Sequence, residues 1–359
     1  MINKVARKVN KKYLPQKYFF NPEGIVLGVN NACNLHCKMC DVGTKNKETN
    51  FSQNLIGARP LHMPLELIKK IIDQSAFYFP KVKLGYAFTE PLIYKYLEES
   101  LWYSKRKGIE TNITTNALTL KQHAKTIVDA GVEELFVSLD GIEDVHNRIR
   151  GNNRSFQRAL EGLDEIFVLD KTKKVSIFCV ITEWNIETMF DFVEYFKDFP
   201  LKQIGFMHPN FTSQYTADYH NAIWGNLYPA TASNVFETNL QDYDKNRLWD
   251  EILKIQNKKY PFRVSFSPHL ESKEKLFEYY EKPGVLIGRG CNDIFRNIMI
   301  KADGNVIPAH GRCFNLTIGN IYEQNLKRIW NSKVLSDLRK NLSNSGGLFP
   351  ACSRCCSAF

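Results

Sequence analysis

The 359-residue chain is 43% hydrophobic and 24% charged, the balance of a folded protein with apolar material for one large domain and a smaller one. No apolar run approaches the about 18 residues of a membrane span, and the first residues lack the order of a secretory signal, so a cytoplasmic protein is expected. The formal charge of +10 permits anionic partners, but the cationic residues are spread along the chain and no groove-reading motif is present, which weighs against a zinc-stapled nucleic-acid-binding protein.

Residues 1–23 read as a basic arm or short helix, with six basic and no acidic side chains in the first seventeen positions. From residue 24 to 210, β-rich runs alternate with helical ones. Strands are expected at 24–31, 82–90, 109–116, 132–141, 173–182 and 201–209. Helices are expected at 63–76, where Leu65, Ile68, Ile71 and Ile72 share a face, and at 97–108, 120–131, 155–169 and 186–197. Gly131 is a good helix stop. Strands separated by single helices specify parallel pairing. The fold expected is therefore α/β: a six-stranded partial (β/α)6 barrel or an open sheet, with its reactive loops at the strands' carboxyl ends. Residues 211–285 form an aromatic-rich connecting or substrate region with a late strand at 262–270. Residues 286–359 hold a β-hairpin around Asp303-Gly304, a helix over 325–342 and "CSRCC" at 352–356.

Nine cysteines, an odd number, argue against a disulfide framework in a reducing compartment. Cys33, Cys37 and Cys40 fall within eight positions near the start; Cys291, Cys313, Cys352, Cys355 and Cys356 lie near the end. Cys179, in the apolar run "VSIFCVIT", reads as a small core residue. Three readings compete for the first group: a closed zinc site, an open iron–sulfur site, or no metal. His36 could be a fourth ligand, but its adjacency to Cys37 makes joint chelation awkward. Three thiolates on a cubane cluster would leave one iron free to bind a small molecule through nitrogen and oxygen.

The C-x3-C-x2-C loop after the first strand of a β/α core resembles the radical S-adenosylmethionine (SAM) enzymes. That resemblance implies a [4Fe–4S] cluster on Cys33, Cys37 and Cys40 whose unligated iron chelates SAM. It implies reductive cleavage of SAM and hydrogen abstraction by a 5′-deoxyadenosyl radical, with a reducing partner such as flavodoxin or ferredoxin. Four further matches fall in order. "AFTEPL" is similar to the family's Gly-Gly-Glu-Pro motif, with Thr89 in place of glycine and Glu90 expected on the SAM amino group. Asn116 in "TTNAL" resembles the Thr-Asn-Gly turn, with Ala117 in place of glycine. "SLDG" puts Ser138 and Asp140 where the ribose or substrate lies, and in "HNRIRG" Arg150, rather than Arg148, is assigned to the SAM carboxylate.

The C-terminal cysteines, with "GNV", "IGNI" and "IW", resemble the family's Twitch or SPASM extension. Five cysteines rather than about seven fit the shorter form, with one auxiliary [4Fe–4S] cluster on Cys291, Cys313, Cys352 and Cys355; zinc is the alternative. Cys356 is then spare, or a hydrogen-atom donor, a role for which Cys179 is a second candidate. His208, ending a strand, is the first choice for a catalytic group among His208, Asn210, Tyr215, Asp218 and His220. His310 could act similarly or replace a cysteine ligand. The function the resemblance implies is oxidation of a carbinol on a small sugar or aminocyclitol, with epimerisation and peptide maturation as alternatives.

Overall fold

The β-branched and apolar runs of the core become the buried strands of a parallel sheet, joined in sequence order by helices that pack on it. The computed structural model describes residues 2–57 and 59–359. Seven parallel strands follow in order: β1 (Gly24–Leu27), β2 (Lys83–Tyr86), β3 (Thr111–Thr115), β4 (Glu134–Ser138), β5 (Lys174–Val180), β6 (Gln203–Met207) and β7 (Arg263–Ser267). The seventh comes from the aromatic-rich region and pairs with β6 from Gln203↔Arg263 to Met207↔Ser267.

The intervening helices bury stripes at helical spacing. The Leu65–Tyr78 helix buries Leu67, Ile68, Ile71, Ile72 and Ser75, so the core-facing side runs through Leu67 while Leu65 is half-buried. The Ser155–Leu169 helix packs on the Leu120–Asp129 helix, where a Cβ added to Gly162 would lie 2.6 Å from Leu120 Cβ.

The C-terminal hairpin, β8 (Asn297–Ile300) and β9 (Asn305–Pro308), is continuous with this sheet. β8 pairs in parallel with β1, β9 pairs antiparallel with β8, and β10 (Gly319–Asn320) adds outside β9. The order β10-β9-β8-β1-β2-β3-β4-β5-β6-β7 makes β1 an interior strand, its open edge covered by the hairpin. Arg339, on the Lys333–Asn344 helix, is fully buried and ties the C-terminal segment together, donating to the carbonyls of Ile294 and Trp330 at 3.0 and 3.2 Å. Residues Ile2–Tyr13 form a helix rather than an irregular arm, and a short helix, Asn50–Leu55, follows the first cysteine loop.

Candidate functional site

The first cysteine loop is pinned by backbone bonds to the "HNRIRG" helix, Glu143–Arg150. The His36 and Lys38 amides donate to the Arg150 and Ile149 carbonyls at 3.3 and 3.0 Å. Two glycines permit close backbone approaches, one within the loop and one between loop and helix. A Cβ on Gly43 would lie 2.4 Å from the Cys37 carbonyl oxygen, and Gly151 ends the helix at φ 66° with its missing Cβ 2.9 Å from the His36 carbonyl oxygen.

Arg150, buried below the loop, donates from Nε to Asp140 at 2.5 Å and from Nη1 to Cys37 Sγ at 3.7 Å. Burial alone would lower the guanidinium's pKa, but the charges of Asp140 and Cys37 raise it above the ordinary arginine range. Asp140 is fully buried, and its second oxygen accepts the Val180 amide at 2.9 Å. Its carboxylate is thus committed to holding Arg150. Arg148 points away, donating to the Trp184 carbonyl at the surface. Ser138 ends β4, half-buried.

Glu90 is fully buried after β2. One oxygen accepts from the Leu92 amide and Thr115 hydroxyl at 2.9 and 2.7 Å, the other from the Asn116 amide at 2.7 Å. Burial pushes its pKa up, while these donors pull it back. Thr89 and Ala117, in place of the family's glycines, both take left-handed backbone, at φ 51° and 62°. The Thr89 hydroxyl, bonding Asn30 Oδ1 at 3.0 Å, supports the first of these turns. Asn116 reaches toward the cysteine loop, donating to Asn34 Oδ1 at 2.8 Å with Cys33 Sγ at 4.0 Å.

At the other end, Cys291, Cys313, Cys352 and Cys355 share the wall of one cavity enclosing about 780 Å³ of space, part of it open to solvent. The same wall carries Asn50, Asn210, Thr212, Ser233 and Asn234. His310 is on the same wall, with Nε2 2.8 Å from Ser357 Oγ and 3.7 Å from Cys356 Sγ. The Phe88 ring of the "AFTEPL" turn stacks on His310 at 5.9 Å, joining the two regions.

Spacing decides what these thiols can hold. Tetrahedral zinc, with bonds of about 2.3 Å, needs sulfurs about 3.8 Å apart. Among the described residues, the three ligand atoms gathered within 4.8 Å of one another are those of His310, Cys355 and Cys356; neither the set of Cys33, Cys37 and Cys40 nor any three of Cys291, Cys313, Cys352 and Cys355 is so tight. A polynuclear cluster, whose irons are separately ligated, would accommodate sulfurs farther apart than a single zinc does. Burial pushes Cys33 up to about 11, and Cys37 and Cys291 up to about 12, so a metal that binds here must displace protons.

The remaining expected residues are dispersed. His208 is buried with Nδ1 2.8 Å from the Tyr280 hydroxyl, and burial lowers its pKa to about 3; it lies between Tyr279 and Tyr280 rather than on the cavity wall. His220 is buried against Phe314, and Tyr215 is exposed. Cys179 is buried, with its sulfur accepting from Asn185 at 3.5 Å. Sequence reasoning missed Asp41, next to Cys40. Its carboxylate accepts from the Ser233 hydroxyl at 2.7 Å and the Asn234 amide at 3.0 Å, tying the first cysteine loop to the cavity wall. A single acidic residue in a loop carried no local signal of so distant a partner.

Comparison with known proteins agrees with this geometry. Residues 28–196 match the radical SAM superfamily, and residues 291–356 match an iron–sulfur cluster-binding domain, SPASM. The chain is 26% identical over 360 residues to Fe-coproporphyrin III synthase of Methanosarcina barkeri (strain Fusaro / DSM 804), covering 92% of this chain and 80% of that one. It is 25% identical over 337 residues to GTP 3′,8-cyclase of Aquifex aeolicus (strain VF5), covering 88% and 92%. The fold is shared with Streptococcus suis SuiB bound to precursor peptide SuiA, at a TM-score of 0.65 and 17% identity over 94% of this chain and 71% of that one. The chain is a radical SAM protein with a C-terminal SPASM/Twitch-type extension, and its cofactors are those the two domains use: SAM, a SAM-binding [4Fe–4S] cluster and auxiliary iron–sulfur.

Proposed function

We propose that this enzyme oxidises a secondary carbinol of a small polyhydroxylated substrate, a sugar or aminocyclitol, to a ketone. The observation that carries this reading is the cavity wall, where Asn50, Asn210, Thr212, Ser233 and Asn234 stand among apolar side chains, Arg312 and Arg354, around the same space as the four C-terminal cysteines. Such a lining offers hydrogen bonds in both directions to neutral hydroxyl groups.

Cys33, Cys37 and Cys40 would hold a [4Fe–4S] cluster and leave the fourth iron to SAM. Cys291, Cys313, Cys352 and Cys355 would complete the ligands of an auxiliary cluster. When bound, these groups together supply one hydrogen-atom abstraction and an acceptor for the second electron, so that SAM and a carbinol become methionine, 5′-deoxyadenosine, a ketone and a proton.

The chain's own residues bind and orient. Glu90, neutralised in part by its three donors, keeps acceptor capacity for the amino group of SAM. Arg150, fixed by Asp140, presents a positive charge beside Cys37, suited to a carboxylate. Asp41 holds the Ser233–Asn234 turn against the first cysteine loop, so that substrate seated there lies between the two thiol sets. Flavodoxin or ferredoxin would supply the electron that starts the cycle.

One observation favours a second reading, epimerisation. Cys356 is exposed and outside the four-cysteine set, beside His310, where a free thiol could return hydrogen to a substrate radical. Incubation with SAM, dithionite and a panel of sugars in deuterated water separates the two. A product lighter by two hydrogens, formed one-for-one with 5′-deoxyadenosine, is expected. A product of unchanged formula carrying one carbon-bound deuterium would replace dehydrogenation with epimerisation.

A further inference from the structure

The Ile2–Tyr13 helix docks the wrong way round for a helix that merely covers a core. A surface helix ordinarily turns its apolar stripe inward and its charges outward. Here the inward side is polar. Arg7 donates to the Tyr18 hydroxyl at 3.3 Å and pairs with Glu23 at 3.1 Å. Asn10, buried, donates to the carbonyls of Leu14 and Lys17 and accepts from the Phe19 amide, each at 2.9 Å. Lys11 donates to the Cys291 carbonyl at 2.6 Å and to Asn292 Oδ1 at 2.7 Å.

The outward side is apolar. Val5, Val9 and Tyr13, at i, i+4 and i+8, are 58%, 51% and 66% exposed, and Leu14 and Phe19 just beyond are also exposed, Phe19 at 71%. At 100° per residue, Lys8 and Lys12 project along one border of this stripe, and both are exposed, as is Lys17. No acidic residue precedes Glu23.

We infer that this helix is a docking surface for an anionic phospholipid bilayer, lying in the interface plane with the Val5–Val9–Tyr13 stripe and Phe19 among the acyl chains and the lysines on the headgroups. The charge pattern chooses the occupant. A second copy would set two basic borders against each other across a two-fold axis. A nucleic acid would engage the lysines and leave four large apolar side chains in water. An anionic bilayer satisfies both halves at once. The geometry suits the rest of the enzyme as well. The helix rests on Glu23 and Phe295, immediately before β1 and β8, at the end of the sheet opposite the carboxyl ends that carry Glu90 and the first cysteine loop. Docking by this face leaves that mouth open.

The full chain, loaded with iron and sulfide, is tested by flotation with vesicles of pure phosphatidylcholine and of phosphatidylcholine with about 30% phosphatidylglycerol, at low and high salt. Binding to the anionic vesicles, weak binding to the neutral ones and weakening by salt are expected. V9D and the pair K8E/K12E should each reduce the bound fraction about tenfold, with unfolding unchanged because these side chains are exposed. In Y13W, tryptophan emission should shift to the blue on adding anionic vesicles. Equal binding to both vesicle types would overturn the inference. So would loss in K8E/K12E with none in V9D, which would mark charge adsorption alone, and so would wild-type self-association that V9D abolishes, which would mark a dimer face.

Discussion

At the scale of single residues, the Asp140–Arg150 pair shows how a buried charge is kept for use. Arg150 sits beside Cys37 with little water, and a lone guanidinium there would be expensive. Asp140 compensates it, and Asp140 is itself held by the Val180 amide and by the His146 ring, whose Nδ1 accepts the Asp140 amide at 3.1 Å. D140A should therefore destabilise the protein by about 3–5 kcal/mol, because it strands the arginine's charge. Denaturant unfolding of the metal-free protein measures this; a loss under about 1 kcal/mol would show that Arg150 does not depend on Asp140. From sequence, "SLDG" placed Asp140 at the right strand end but said nothing of which neighbour would take its oxygens. Spacing reveals which residues share a loop, while hydrogen-bond partners forty positions away, such as Val180, belong to the folded sheet.

At the scale of elements, the first cysteine loop is held by what is absent from it. The missing Cβ of Gly43 leaves room for the Cys37 backbone, and that of Gly151 for His36. G43A would press on the Cys37 backbone from within the loop, costing about 1–3 kcal/mol and moving Cys37 out of register with Cys33 and Cys40. Anaerobic reconstitution should then give about half the iron per chain of the unaltered protein, with the C-terminal set intact; full iron content would refute the packing argument. The alternating strands and helices of the core were legible because their periodicities are strong. β7 stood out less among aromatic loops, and the pairing of β8 with β1 has no signal in either strand alone. The Ile2–Tyr13 helix was legible as a basic arm or short helix, but its inverted docking was not, since that depends on Tyr18, Glu23 and Cys291.

At the scale of the whole molecule, one ten-stranded sheet carries both thiol sets. The first follows β1, and the second surrounds the β8–β9 hairpin that extends the sheet from β1. Their relative placement therefore rests on strand pairing, with Asp41 and the Phe88–His310 stack as cross-links. On the proposed ligand sets, three cysteines would leave one cluster open for SAM, and four would close the other. The direct measurement of this claim is iron and acid-labile sulfide per chain after anaerobic reconstitution, for the native protein and for C33A/C37A/C40A. The account predicts about eight irons with matching sulfide in the native protein and about four in the variant, which should also lose reductive cleavage of SAM. Zinc without sulfide, or eight irons and 5′-deoxyadenosine production surviving in the variant, would contradict it.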